Sequence, residues 1–239
     1  MMRRFISRID RGLYPHYSDN WDNALFRELL LTALGPQSDV LDLGAGSGYV
    51  RQMNLRGVAG CVRGIDPDQR VLDNPNQDEA KIGSGESIPY PAATFDLVFS
   101  NNVLEHLESP ARVFREIARV LRPGGRFFGK TPNARHYVPV VARLTSQCLH
   151  ETVNRLRGRA EADTFPTLYR ANTPGRIRHY AELAGLEVVE IRLLEGRPEY
   201  LRFHPVAYLV GALHERMVNR FECLSGMRVL LIAVLRKPL

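Results

Sequence analysis

The feature that most constrains this chain is a short apolar strand that runs directly into a glycine-rich loop. Residues 40–43 (Val-Leu-Asp-Leu) have the composition of a buried β-strand, and Gly44-Ala45-Gly46-Ser47-Gly48 follow at once. Glycines at such a point let the backbone turn tightly and approach a ligand closely. A plain turn between a strand and a helix has the same local pattern, so the loop alone leaves a ligand site and a structural corner both open.

Strands and helices alternate along most of the chain. Besides the strand before the loop, strands are predicted at residues 62–66, 81–84, 95–100, 126–129, 187–194 and 228–235, and helices at residues 22–34, 110–121, 175–184 and 206–224. This alternation is typical of α/β proteins with parallel sheets. The predicted fold is Rossmann-like, with a doubly wound, mostly parallel, seven-stranded sheet.

The length of 239 residues suits a single domain over residues 1–239. We expect an N-terminal lid and helix at 1–36, a core at 37–132, a basic insertion at 133–180 and a second helical insertion at 195–227. The α/β rhythm is interrupted in both of these later segments. The two insertions are predicted to be helical and to form a cap for a substrate.

The positive charge is confined to the C-terminal part of the sequence. The net charge is +6; residues 1–132 carry 16 basic and 16 acidic side chains, whereas residues 133–239 carry 16 and 10. Arginine pairs well with carboxylates and phosphates, so Arg155 and Arg157 are candidates to bind an anionic acceptor. A solvated surface in a chain with 29 arginines is the alternative. Nucleic acid is not expected, because no recognised binding module accompanies the charge.

Several classes of protein are disfavoured. The longest apolar run near the C-terminus, residues 205–213, is far shorter than the roughly 20 residues that cross a bilayer. The N-terminus lacks the apolar core of a signal peptide, so a cytoplasmic location is expected. The three cysteines are far apart and form no C-x-x-C pair, so neither a disulfide framework nor a metal site is predicted.

Two acids near the loop narrow the kind of ligand. Asp66 ends the second strand, where a carboxylate can accept hydrogen bonds from two ribose hydroxyls. The spacing Gly44-x-Gly46-x-Gly48 is shorter than the G-x-G-x-x-G of a pyrophosphate site. Asp42 adds negative charge where phosphates would lie, which disfavours a dinucleotide. A ligand with an ammonium group and a ribose fits better.

With these features the chain resembles the class I S-adenosylmethionine-dependent methyltransferases. The resemblance rests on residues 40–48, on Gly64-Ile65-Asp66, on Ile88-Pro89-Tyr90 with Phe95-Asp96-Leu97-Val98, on Val103-Leu104-Glu105-His106 and on Leu121-Arg122-Pro123-Gly124-Gly125. The later motifs resemble the subgroup that acts on small molecules. The resemblance covers residues 38–132 closely and implies S-adenosylmethionine as the cofactor.

The resemblance also implies roles for individual residues. The cofactor-binding set that it implies comprises Asp42, Gly44, Ala45, Gly46, Gly48, Asp66, Pro67, Gly85, Glu86 and Asn101. Asp42 would accept from the ammonium group, Asp66 would bind the ribose, and Asn101 would lie near the methionine portion. Many relatives have an acid where Ser84 stands, so we expect either weaker cofactor affinity or a replacement of that contact with adenine by Asp68 or Glu86.

Candidates for the chemistry follow the fourth and fifth strands. His106 is the predicted general base, because an imidazole titrates near neutral pH and the carboxyl ends of the strands form the binding edge. Packing or capping is the alternative for His106, and Glu105 is a second choice. His136 and Tyr137 are predicted to contact substrate, with Asn133 as a further candidate or a loop turn.

Two segments have roles that the sequence leaves open. Tyr14, Tyr17 and Trp21 form either a lid over the cofactor or an anchor for the first helix. The apolar stripe of residues 206–224 predicts core packing or a homodimer interface, with a lipid groove or peripheral membrane contact as alternatives. The function predicted is methylation, at oxygen, of a small or lipid-linked and anionic acceptor. Transfer to nitrogen or carbon, and a non-catalytic adenosyl-ligand binder, are the alternatives.

Overall fold

A computed structural model describes residues 2–18, 20–144 and 166–239. The helices are α1 (Met2–Leu13), α2 (Trp21–Leu31), α3 (Pro110–Val120), α4 (Tyr137–Leu144), α5 (Pro174–Leu183) and α6 (Pro205–Arg220). The strands are β1 (Asp39–Leu43), β2 (Cys61–Asp66), β3 (Glu79–Ile82), β4 (Phe95–Asn101), β5 (Leu121–Pro132), β6 (Glu187–Leu194) and β7 (Leu230–Arg236).

The seven strands form one sheet in the order β3-β2-β1-β4-β5-β7-β6. The pairs β1–β2, β1–β4, β2–β3 and β4–β5 are parallel. The predicted mostly parallel, seven-stranded Rossmann-like sheet is therefore confirmed. The strand order reverses between β1 and β4, and open α/β sheets bind ligands at the carboxyl ends of the strands at such a point.

The connections between β1 and β2 and between β2 and β3 contain little helix. Within the described residues, the segment between β1 and β2 contains only a 3-10 turn, Arg51–Met53. The segment between β2 and β3 contains another, Gln69–Asp73. Glycine is frequent in the first segment, and proline and asparagine are frequent in the second; these residues favour turns over α-helix.

The chain divides into two compact units. Unit 2 comprises residues 22–132, 167–192 and 231–239 and includes most of the sheet. Its core is apolar and aromatic: Phe26 and Phe99 are fully buried with ring centroids 6.4 Å apart, and Phe114 and Phe127 pair at 6.1 Å. These edge-to-face contacts attach α2 and α3 to β4 and β5.

Unit 1 comprises residues 1–21, 133–166 and 193–230. Tyr14 and Tyr208 are buried in its small core with their rings stacked at 6.0 Å. Asp10 accepts hydrogen bonds from Tyr208 and Arg202 in the same place. In this unit Tyr14 anchors α1 on α6. The anchor that the sequence left open concerned a different helix, the one that is α2 in the structure.

The apolar stripe of α6 faces outward, contrary to the predicted core packing. Six side chains of this stripe, the last of them directly after the helix, are each between 44% and 63% exposed: Val206, Leu209, Val210, Leu213, Met217 and Phe221. The buried face of the helix instead carries Tyr208, Gly211, Ala212 and Val218. Small residues there let α6 approach close neighbours, since a Cβ at Gly211 would lie 2.7 Å from Pro198. Among the described helices none is long and apolar enough to cross a membrane.

Candidate functional site

The glycine loop lies against the segment that follows β4. Gly44 has a φ of +79°, and a Cβ added there would lie 2.3 Å from Cγ2 of Val103. Only glycine satisfies both the positive φ and this close approach. The contact joins the carboxyl ends of β1 and β4, and His106 follows Val103 by three residues.

The loop is braced by side chains from the connection after β2. Asn74 donates from Nδ2 to the carbonyls of Ala45 (2.9 Å) and Gly46 (3.1 Å), and Asn76 donates to the carbonyl of Gly48 (3.2 Å). Neither asparagine was predicted, because neither belongs to a recognised motif. A Cβ at Gly46 would meet no atom within 4 Å. The loop is therefore held from one side, with open space beside Gly46.

Asp66 lies at the end of β2, as predicted, and its carboxylate is already ordered. Its Oδ2 accepts from the N–H of Gly46 at 2.9 Å, and its Oδ1 accepts from the N–H of Asp68 at 2.9 Å. Each carboxylate oxygen has a further lone pair for a ligand donor. The structure thus joins the predicted acid to the predicted loop by a direct hydrogen bond.

Asp42 is a buried carboxyl group at the end of β1, only 5% exposed. Gln77 donates to its Oδ2 at 2.9 Å, a partner that the sequence did not indicate. Burial raises the pKa of Asp42 to about 7, with the nearby charge of Asp66 adding to the effect and the Gln77 hydrogen bond opposing it. A cationic ligand group beside Asp42 would restore the ionised form.

The segment after β3 approaches the same edge of the sheet. A Cβ at Gly85 would lie 3.2 Å from Leu43, so the Gly85 backbone lies close to the end of β1. Ser84 Oγ accepts from the N–H of Glu86, whose carboxylate pairs with Arg112 at 3.2 Å. Asp68 pairs with Arg70 at 2.7 Å, and Pro67 is exposed. Both acids proposed to replace the missing acid at Ser84 therefore already have basic partners.

A buried polar network lies at the carboxyl ends of β4 and β5. Lys130 is fully buried, and its Nζ lies 2.5 Å from both Asp22 Oδ2 and Asn23 Oδ1. Asn23 Oδ1 also accepts from Asn101 Nδ2 at 3.1 Å. Asn101 Oδ1 is buried and has no hydrogen-bond partner in the described part of the chain. Asp22 and Asn23 both lie inside the first turn of α2, which thereby contacts the end of β5 through this lysine.

Glu105 and His106 lie side by side but in different environments. Glu105 is 5% exposed; its Oε2 accepts from Thr131 Oγ1, and burial raises its pKa. Its backbone carbonyl accepts from the N–H groups of Leu168 and Tyr169, so Glu105 holds the later segment in place. His106 is half-buried in the 3-10 turn Leu104–His106.

The predicted acceptor-binding residues that the structure describes, Asn133, His136 and Tyr137, belong to unit 1. His136 is 2% exposed and precedes α4, which Tyr137 begins. Asn133 is structural, because its side chain donates to the carbonyls of Gly226 and Arg228. Arg155 and Arg157 lie outside the described residues, so their role stays a prediction.

Comparison with known proteins agrees with this geometry. The methyltransferase-domain family Methyltransf_11 matches residues 41–129. The chain contains a class I S-adenosylmethionine-dependent methyltransferase domain. A probable methyltransferase of this kind from Mycolicibacterium smegmatis is 35% identical over 105 residues, which cover 42% of this chain and 40% of that protein. The resemblance predicted from the sequence motifs is thus confirmed.

Two further proteins are similar over more of the chain. A ubiquinone biosynthesis O-methyltransferase of Ralstonia nicotianae is 29% identical over 191 residues, covering 75% of this chain and 73% of that protein. The structure of geranyl diphosphate C-methyltransferase from Streptomyces coelicolor A3(2) superposes with a TM-score of 0.58, covering 90% of this chain and 78% of that one. At 15% identity the latter shows the shared fold alone.

The residues at the carboxyl edge of the sheet fit S-adenosylmethionine, the cofactor of this domain. The edge is rich in hydrogen-bond acceptors: the carboxylate of Asp66, the buried carboxyl of Asp42, and the unpartnered oxygens of Gln77 and Asn101. An ammonium group and two ribose hydroxyls can all donate hydrogen bonds to such a surface. The open space at Gly46 and the acceptor-rich edge meet the requirements of the cofactor.

Proposed function

We propose that this protein transfers the methyl group of S-adenosylmethionine to an oxygen atom of a small or lipid-linked acceptor. The observation that carries the choice of oxygen is the match to the Ralstonia nicotianae O-methyltransferase, which extends over three quarters of both chains rather than over the domain alone. Transfer to nitrogen or carbon, or binding without transfer, would appear in the same experiment as a different product or as none.

The bound cofactor supplies an electrophilic methyl carbon on a sulfonium. We assign Asp66 to the ribose hydroxyls and Asp42 to the ammonium group; the loop from Gly44 to Gly48 lies beneath the methionine portion. Gly85, Glu86 and Pro67 border the adenine, and Asn101 presents its free Oδ1 to the methionine end. The protein's contribution is alignment and exclusion of water, because an in-line displacement needs a fixed approach.

In the proposed reaction the acceptor oxygen bonds to the methyl carbon as the carbon–sulfur bond breaks. The acceptor hydroxyl then has a proton to lose, and we assign its removal to His106. Two observations support this: His106 follows β4 at the switch point, and Val103, three residues before it, packs on Gly44. Glu105 is a poor base, because its carboxyl already accepts from Thr131 and is held in the interior.

Replacement of His106 by Gln tests this assignment. We expect kcat to fall about 100-fold or more, the range usual for loss of a general base, with the acid limb of its pH profile removed. Cofactor affinity should stay unchanged in calorimetry. The acceptor is found first by incubating the protein with methyl-labelled S-adenosylmethionine and panels of phenols, sugars, amines and lipid-linked sugars. Unaltered turnover and pH profile in His106→Gln would show that the reaction needs no base there.

The outward face of α6 supports an acceptor held at a lipid surface. The six exposed apolar side chains form one stripe, and Arg216 and Arg220 on the same helix are exposed, as are Arg8 and Arg11 on α1. Apolar side chains flanked by arginines are typical of helices that lie in the interface of an anionic bilayer. We propose that this stripe contacts membrane lipid in the folded protein.

Vesicle co-sedimentation tests the stripe. We expect the wild type to pellet with vesicles containing phosphatidylglycerol and the double variant Leu209→Gln, Leu213→Gln to remain in solution. Val188→Gln, Val189→Gln is the matched control, because it removes two exposed valines from β6 instead. If the α6 variant pellets like the wild type, the membrane proposal fails. If the wild type is a dimer that the variant abolishes, with no vesicle binding, the stripe is a homodimer interface.

A further inference from the structure

Three side chains of unit 1 that are distant in sequence meet in its interior. His136 precedes α4, Glu195 follows β6, and His214 lies in the middle of α6. One ligand-type atom from each of the three lies within 4.8 Å of the other two. His136 Nε2 and Glu195 Oε2 are 3.5 Å apart, with side chains 2% and 3% exposed.

Each of the two imidazoles has one ring nitrogen that lacks a hydrogen bond. Nε2 of His136 and Nε2 of His214 are buried and have no hydrogen-bond partner among the residues that the structure describes. A buried polar atom without a partner destabilises the folded state, so two in one cluster require an explanation. Both atoms belong to the group that converges with Glu195, which points to a shared ligand.

We propose that His136, Glu195 and His214 bind a divalent transition-metal ion, with zinc as the favoured metal. Two imidazole nitrogens and one carboxylate oxygen form a donor set that zinc uses. Bonds of about 2.0–2.1 Å in tetrahedral geometry separate ligand atoms by roughly 3.4 Å. The 3.5 Å between His136 and Glu195 already matches one edge of such a tetrahedron.

Surrounding groups hold the carboxylate in position. The N–H of Val229 donates to Glu195 Oε2 at 2.9 Å, and the N–H of Gly196 donates to the same carboxyl group. Tyr137 packs on both imidazoles, with ring centroids 4.0 Å from His136 and 4.8 Å from His214. Backbone donors on the carboxylate and an aromatic ring on the histidines are the kind of support that orients metal ligands.

One contact must change when the metal binds. The N–H of Val138 lies 3.3 Å from Nδ1 of His136, and this nitrogen must carry the proton when Nε2 binds a metal. Loss of such a long hydrogen bond costs far less than a structural zinc site gains on binding its metal. Three protein ligands leave a fourth position for water or for an oxygen atom of a ligand.

The test is zinc binding by the full, tag-free protein, measured by calorimetry with zinc chloride and without S-adenosylmethionine. We expect one zinc ion per chain, and at least tenfold weaker binding in His214→Gln, since even supporting residues of metal sites have effects of this size. His204→Gln is the matched control, because His204 is an exposed histidine of the same unit. Its zinc affinity should equal that of the wild type.

Two further measurements keep the result clear. Cobalt in place of zinc should give a visible spectrum without a thiolate charge-transfer band, whereas that band would assign the metal to a cysteine such as Cys223 and overturn the proposal. Circular dichroism must show that His214→Gln and Glu195→Gln are folded. Equal zinc affinity in the wild type and these folded variants, or no zinc binding by the wild type, would also overturn it. Failure here leaves the methyl-transfer proposal intact, since no cofactor or acceptor takes part.

Discussion

Asp66→Ala is expected to weaken S-adenosylmethionine binding about 100-fold or more in calorimetry. The carboxylate of Asp66 accepts from Gly46 N–H and Asp68 N–H, and it has remaining lone pairs for the two ribose hydroxyls. Hydrogen bonds to a charged group contribute about 1.5–3 kcal/mol each, and a tenfold change in affinity corresponds to about 1.4 kcal/mol. The same substitution also releases the loop from the end of β2.

Asp66→Asn tests the same assignment with a smaller change of the side chain. An amide can accept one of the two backbone N–H groups but must present its own NH₂ to the other, so we expect affinity to fall almost as far as with alanine. Asp73→Ala is the control, because it removes one negative charge from an exposed position in the same connection. Affinities within threefold of the wild type in both Asp66 variants would rule out the assignment of the ribose to this residue.

Asp42→Asn is expected to raise stability at pH 8 while weakening cofactor binding. The pKa of Asp42 is raised from 3.8 to about 7 by burial. An acid whose pKa is raised on folding destabilises the folded state as pH rises, through the window between its unfolded and folded values. The loss therefore develops between about pH 4 and pH 7 and amounts to something on the order of 4 kcal/mol above pH 7. Asparagine carries no charge and avoids this loss.

The measurement is a pair of thermal melts, at pH 5 and pH 8, together with calorimetry. We expect the melting temperature of the variant to exceed that of the wild type by a wide margin at pH 8 and by a much smaller margin at pH 5. Asp39→Asn on the same strand is the matched control with the opposite sign. Asp39 is half-buried, but hydrogen bonds from Arg122 and Arg63 outweigh the effect of burial and lower its pKa, so its loss should destabilise at pH 8. A lower melting temperature for Asp42→Asn at pH 8 would contradict the buried-carboxyl argument.

The carboxyl edge of the sheet around the glycine loop was largely predictable from the sequence, because short local patterns of residues specify its strands and its loop. The sequence shows a strand that enters a glycine loop and a following strand that ends in an acid. In a parallel sheet this pattern places Gly46 and Asp66 at the ends of neighbouring strands. The side chains that support this edge were not predictable. Asn74 and Gln77 come from the connection after β2, Lys130 from the end of β5, and no motif spacing marks any of them.

Periodicity identified α6 as an amphipathic helix, but core packing of its apolar stripe, one of the roles left open, is wrong. The six side chains of the stripe that the structure exposes lie on one face, and the helix packs through a face that includes Gly211 and Ala212. The helical spacing of apolar residues shows only that their side chains share one face of the helix. The spacing does not show which part of the protein each face of the helix contacts. Small residues such as Gly211 let the helix pack closely on its neighbours, and such packing depends on complementary shape rather than on large side chains.

By itself the sequence determined the α/β class, the parallel strands around the glycine loop and the positions of Asp42 and Asp66 near the ends of β1 and β2, because these depend on short-range patterns of backbone preference. Only the tertiary structure decided which polar groups are buried together. The ionisation of Asp42, the pairing of Lys130 with Asp22 and the convergence of His136, Glu195 and His214 all arise from contacts between residues distant in the chain. Burial and charge at such places depend on the packed neighbours, so they exist only once the chain has folded.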